Sequence, residues 1–107
     1  IQGGSPDDDI MTDSDFHLTG EFAENGVGNP LHHTRGTISM ARQEGCDTAS
    51  CQFFIMLRDN YGLDGHYAAF GHVIEGMEAV DQVANFPIDA SSAPTVPVIM
   101  RRVYVES

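Results

Sequence analysis

Residues 41–57, ARQEGCDTASCQFFIML, set two cysteines and a glutamine directly ahead of a dense apolar run. Three kinds of chemistry suit such a stretch: a metal loop, a thiol site, or a pocket wall with one polar group at its rim. Cys46 and Cys51 are separated by four residues, not by the two of a redox or zinc-knuckle pair, and two thiols alone do not complete a four-ligand zinc site. His17, His32, His33, His66 and His72 are scattered over different turns and strands, without the paired spacing of metal ligands. A serine or cysteine nucleophile needs a base, and the sequence sets none beside a candidate. The bland reading of both cysteines is small, partly buried residues in a reduced compartment. The pocket wall remains. Alternation along CQFFIM sends Gln52 and Phe54 to one face of a strand and Phe53 and Ile55 to the other. An aromatic and an amide on one face suit an apolar pocket with a hydrogen bond for a ligand backbone. Such a pair is more often a core phenylalanine and an exposed glutamine.

A second group with possible chemistry is acidic. Asp7, Asp8, Asp9, Asp13 and Asp15 could offer hard oxygen ligands to calcium. Neither Asp9 nor Asp13 as a starting residue gives the EF-hand spacing, so SPDDDIMTDSD (5–15) reads as a solvated surface loop.

The elements that must position these residues follow from composition and pattern. The 107 residues fit one domain, 1–107, with room for a real core. Eleven glycines and five prolines imply many turns. Sixteen acidic residues face five arginines and no lysine, for a net charge of −11. That balance argues against a nucleic-acid backbone or an anionic membrane as partner, and no apolar run approaches membrane-spanning length. IQGG (1–4) reads as the end of a strand entering a turn. Strands are expected at FHLTGEF (16–22), GTISMA (36–41), QFFIML (52–57, buried on both faces) and YAAFGHVI (67–74), with a closing strand at VIMRRVYVE (98–106). The one clear helix is expected over 75–84, with Met77, Val80, Val83 and Ala84 on one face and Glu75 and Glu78 toward its N-terminal end. Strands, turn signals and a single helix predict a mostly β domain, a barrel rather than a sandwich.

IQGG (1–4), GEF (20–22), HTRGTISMAR (33–42), SCQFFI (50–55) and LDGHYAAFGHVIEGMEAVD (63–81) together resemble the cyclophilins, peptidyl-prolyl cis-trans isomerases, with the bacterial type nearest. The resemblance implies a closed eight-stranded β-barrel capped by two helices, with the proline site on its outer face. By position, Gln2 resembles the glutamine that bonds the substrate backbone, and Gln52 the second substrate-facing glutamine. Phe54 and Leu63 match walls of the proline pocket, with Met40 packing nearby. Ala41, Arg42 and Gln43 match the loop whose backbone aligns the peptide, and Tyr67 stands where the family carries histidine or, in bacteria, tyrosine. Gly62 replaces an aromatic at the pocket edge, so cyclosporin-type ligands are expected to bind weakly at most. The acidic 5–15 loop stands where the family has a glycine-rich one.

Ile1 aligns just after the family's catalytic arginine. The resemblance therefore implies an incomplete barrel, without its front strands, first helix and that arginine. The expected function is rotation of X-Pro bonds in proline-containing peptides and unfolded proteins during folding, with no metal or cofactor, in the cytoplasm. The alternative is a catalytically impaired fragment that acts at most as a proline-peptide binding module.

Overall fold

The computed structural model describes residues 1–7, 9 and 11–106; Asp8, named above among the acidic candidates, lies outside them. Four short strands, β1 (Gln2–Gly3), β2 (Thr37–Met40), β3 (Phe53–Ile55) and β4 (Ala69–His72), form one antiparallel sheet in the order β1-β3-β2-β4. One α-helix, α1 (Met77–Ala84), follows. Single 3-10 turns occupy Ala23–Asn25 and Tyr61–Leu63. The domain is mostly β, as expected, but among the described residues the sheet is open, with β1 and β4 as its edges.

Register explains which residues meet. Gln2 and Ser39 both lie opposite Phe54, while Gly3 and Met40 lie opposite Phe53. Directly paired residues share a face and neighbours along a strand alternate. Gln2, Ser39 and Phe54 therefore form one row, and Met40 belongs to the other face, away from the pocket wall where packing was expected. The turn after β1 demands glycine. Gly4 has φ of +94°, and a Cβ there would stand 2.6 Å from the Cys51 carbonyl oxygen and 3.2 Å from the Phe53 ring; an L side chain meets both obstacles at once.

The enclosed apolar set is small: Phe22, Ala49, Met56 and Ala69. Among the described residues the buried polar ones outnumber them, with His33, Thr37, Ser39, Ser50 and Gln52 all shielded. Such groups are tolerated only when hydrogen-bonded, and among the described residues no buried side-chain polar atom lacks a partner. With so thin a core, Phe53, Phe54 and Ile55 are half-buried, not enclosed on both faces, and the strand is limited to those three residues.

Three other expectations change. Residues 16–22 make only an isolated bridge, Leu18 to Ala49. The backbone groups of Gly20 that a ladder would use go to side chains, its N–H donating to Asp47 Oδ1 at 3.1 Å and its carbonyl accepting from Asn25 Nδ2 at 2.9 Å. The helix starts at Met77 instead of 75, because Gly76 sits at φ +90° and φ of that sign cannot continue a right-handed helix. Met77, Val80 and Val83 are half-buried as the pattern requires, but Ala84 is exposed. Residues 98–106 form no strand. Their backbone has no hydrogen-bonding partner among the described residues, and a strand exists only where another pairs with it. Val98, Ile99, Met100, Val103, Tyr104 and Val105 stand exposed.

Arg35 fastens the helix to the sheet. Its guanidinium pairs with both oxygens of Asp81 at 2.9 and 2.6 Å, and Nη1 also donates to the Leu57 carbonyl at 2.9 Å.

Candidate functional site

Phe54 is the centre of an aromatic corner. Its ring meets Tyr67 edge-on, with centroids 5.6 Å apart and planes at 88°, and stacks at 6.0 Å and 19° on His33. Edge-to-face and offset arrangements are those the ring quadrupole favours. Phe54 comes from β3, and Tyr67 from the turn that enters β4. Both are half-buried, so each has a packed side and an open one. Leu63, at the end of the 3-10 turn Tyr61–Leu63 and four residues before Tyr67, is also half-buried.

His33 was assigned no role from sequence, yet it holds this corner from behind. It is fully buried, with Nδ1 2.8 Å from Asp64 Oδ1 and Nε2 2.9 Å from Ser39 Oγ. An ionised carboxylate only accepts, so Nδ1 carries the proton, and in the neutral ring Nε2 accepts from the Ser39 hydroxyl. Asp64 also takes the His33 backbone N–H at 2.8 Å and faces His32 Nδ1 at 2.6 Å. Burial pushes the Asp64 carboxyl up, but the His32 and His33 side-chain bonds and the His33 N–H together outweigh it and bring it down to about 2. Serine, histidine and aspartate in this order resemble a hydrolytic triad. Ser39 is completely buried, so the chain of bonds orients His33 and offers no nucleophile. No local pattern signals this role, because His33 meets Asp64 across 31 residues of chain.

The two glutamines do meet. Gln2 Nε2 donates to Gln52 Oε1 at 2.9 Å. Gln2, on the edge strand, is exposed; Gln52 is only 5% exposed. Its own Nε2 donates to the Thr12 carbonyl at 3.1 Å and to Asp13 Oδ1 at 3.2 Å. Residues 12 and 13 thus lie over Gln52, tied down beside it by the Ser14 N–H to Ser50 Oγ at 3.1 Å. Farther out, Asp7 and Asp9 hydrogen-bond within the loop, to Ser5, Thr12 and backbone N–H groups.

The 41–43 segment borders the same corner. The Ala41 N–H donates to the Gln52 carbonyl at 3.0 Å, which fixes the strand exit, and the Gln43 N–H donates to Thr48 Oγ1 at 2.8 Å. Arg42, Gln43, Glu44 and Tyr67 line an open depression of about 620 Å³. The cysteines take no part in this surface: both are free and half-buried, and Cys51 Sγ lies 3.9 Å from Asp13 Oδ1. An exposed amide, a half-open aromatic corner and a fixed backbone loop can hold a small apolar ring with polar backbone on either side.

A family model described as cyclophilin type peptidyl-prolyl cis-trans isomerase/CLD matches residues 1–105. A curated peptidyl-prolyl cis-trans isomerase of Acinetobacter baylyi is 38% identical over 116 aligned positions, covering 100% of this chain and 60% of the relative. The chain thus spans less than two thirds of that relative's length. The crystal structure of a cyclophilin type peptidyl-prolyl cis-trans isomerase of Cryptosporidium parvum superposes with a TM-score of 0.86 at 28% identity, over 100% of this chain and 67% of that one. A second structure of that parasite protein, solved in the presence of the dipeptide Ala-Pro, gives a TM-score of 0.77 at 30% identity over 89% of this chain and 60% of that one.

Proposed function

The chain belongs to the cyclophilin type peptidyl-prolyl cis-trans isomerase family, and from that premise we propose that it binds proline-containing segments of peptides and unfolded proteins at Gln2, Phe54 and Tyr67 and rotates the X-Pro bond. The Phe54–Tyr67 corner carries the reading. Two half-open rings at right angles suit the flat, apolar pyrrolidine ring, and the Ala-Pro dipeptide used with the parasite relative has that chemistry.

The barrier to rotation, about 18–20 kcal/mol, comes from amide resonance. Rotation breaks no σ bond, so the reaction calls for no covalent intermediate, metal or cofactor. What lowers the barrier is tighter binding of the twisted amide than of either planar form. Phe54, Tyr67 and Leu63 hold the ring while the flanking backbone is anchored. An amide nitrogen has two N–H groups. Gln52 takes one from Gln2, so the second N–H and the Oε1 of Gln2 serve the peptide. Gln52 acts through Gln2, and residues 41–43 align the other side of the peptide. Cyclosporin-type ligands bind weakly, since Gly62 offers no side chain beside Leu63. The same reading takes the open sheet as one arc of a closed barrel. It also sets the chain in the cytoplasm, where two free thiols are at home.

One observation favours the second reading, binding without efficient turnover. Arg42, the arginine beside Tyr67, has its guanidinium committed to protein carbonyls and Glu24, so it does not donate to a twisting prolyl nitrogen. A preorganised donor of that kind is worth on the order of 10²–10³ in rate.

Titration of an Ala-Pro-containing tetrapeptide into the isotopically labelled chain tests the site. Shifts confined to Gln2, Phe54, Tyr67 and residues 41–43 are expected. No shifts at millimolar peptide, or shifts confined to other surfaces, would remove the proposal.

A further inference from the structure

The family resemblance implies a role for the Arg42 backbone alone, yet its side chain is the most heavily bonded in the site. Nε donates to the His66 carbonyl at 2.7 Å, and Nη1 faces the carbonyls of Gln43, Glu44 and Gly45 at 3.2, 3.0 and 3.4 Å. Nη2 pairs with Glu24 Oε2 at 3.2 Å. The guanidinium carbon lies 4.9 Å from the ring centroid of Phe22, the most enclosed apolar residue, and 5.2 Å from that of Tyr67. The side chain is 11% exposed. One planar cation thus joins the core at Phe22, the 3-10 turn carrying Glu24, the 43–45 loop and the turn that ends in Tyr67.

We propose that the Arg42 side chain is the positioning residue of this site, holding Tyr67 edge-on to Phe54 and fixing the 43–45 backbone so that the groove is preformed. Only a guanidinium fits these demands. It offers five N–H groups in a rigid plane and stacks by its faces while bonding by its edges. Lysine has three donors on a point charge and cannot face two rings and reach four carbonyls together. Glu24 completes the clamp, since its Oε2 also accepts from His66 Nδ1 at 3.0 Å. That hydrogen bond, with the charges of His66 and Arg42, holds the Glu24 carboxyl below the ordinary range. Misplacing a binding group by about 1 Å is enough to cost up to ~100-fold in rate, so a clamp on Tyr67 acts on substrate handling without touching substrate.

The inference rests on the proposed proline-peptide reading, and its test separates the two. Arg42→Lys in the 107-residue chain is examined by aromatic NMR and by titration with the Ala-Pro-containing tetrapeptide. The expected result is a displaced or broadened Tyr67 ring signal and a Kd about tenfold higher, with the β2 and β3 amides of Ile38 and Ile55 unmoved. Where turnover is measurable, KM rises and kcat changes little. A lower Tm with an unmoved Tyr67 ring and an unchanged Kd would overturn the proposal, leaving Arg42 a stability residue only. If the unaltered chain takes no peptide, the functional reading falls, while the Tyr67 signal still decides the clamp. If Arg42→Lys does not fold, Glu24→Gln made in a His66→Ala background removes the Nη2 ion pair with the shared histidine contact already absent. A Tyr67 shift in that variant supports the clamp, and its absence counts against it.

Discussion

Gln2 Nε2 lies 2.9 Å from Gln52 Oε1, joining the exposed edge strand to a side chain buried beneath residues 12 and 13. The exposed amide is therefore oriented by a hidden one, and the hidden one by the acidic loop. Gln52→Met keeps the approximate shape and deletes both functions. It leaves Gln2 and Asp13 without this partner and should lower stability by ~1–3 kcal/mol. Peptide affinity should fall with it, although Gln2 itself is intact. Urea unfolding and peptide titration check the pair of effects; lost stability with full affinity would mean that Gln2 needs no orientation.

Phe54 packs against His33 and Tyr67 and, on the proposed reading, walls the proline pocket. Phe54→Ala should reduce proline-peptide binding by ~30-fold or more, the loss expected of a central aromatic anchor worth about 2 kcal/mol. Cys46→Ser, on a half-buried thiol outside the corner, should leave binding within about twofold, and EDTA should change nothing. Calorimetric titration reads all three. A chelator-sensitive site, or one indifferent to Phe54, contradicts the reading.

These residues show what the sequence could reveal. Period-2 alternation sends Gln52 and Phe54 to one face, but the strand starts at Phe53, and Gln52 is joined to the Phe54 row through Gln2. Gly4 was legible through its motif, since the turn admits no side chain. His33, Asp64 and the Arg42 side chain were not legible. Their roles come from contacts across 31 and 24 residues of chain, which no local period encodes. The closing strand failed for a related reason. Alternation near Val103 and Val105 describes a segment able to pair, but pairing depends on a neighbour that the pattern does not contain.

The Asp64 carboxyl, held at about 2 by its histidine bonds, makes a pH prediction. Its folded-state value is depressed below the unfolded one of roughly 3.9. Its contribution to stability is therefore fully present above that unfolded value and is lost as pH falls toward 2. Unfolding free energies of the unaltered chain and of Asp64→Asn, followed from pH 7 to 2, should run parallel down to about pH 4.5 and converge below it. Convergence that begins near pH 6 would assign the effect to another group.

Val96, Ile99, Val103 and Val105 are each at least 72% exposed, and the net charge is −11. Exposed apolar segments favour association, while like charge opposes it until salt screens it over about 10 Å at 0.1 M. Light scattering should show self-association that rises with sodium chloride and falls in Val103→Glu. A monodisperse monomer at 1 M salt would show that this segment is covered in solution.

The central claim, that the Phe54–Tyr67 corner takes the proline ring and promotes rotation, is tested most directly by NMR exchange spectroscopy of an Ala-Pro-containing peptide. Cis–trans exchange is slow without catalyst, over tens to hundreds of seconds, so cross-peaks at sub-second mixing times report catalysis alone. Exchange cross-peaks are expected with the unaltered chain, weaker ones with Arg42→Lys, and none with Phe54→Ala at equal concentration. Peptide line broadening that Phe54→Ala abolishes, without cross-peaks, would place the chain in the binding-module reading. Cross-peaks of equal strength with Phe54→Ala, or neither broadening nor exchange with the unaltered chain, would contradict the account.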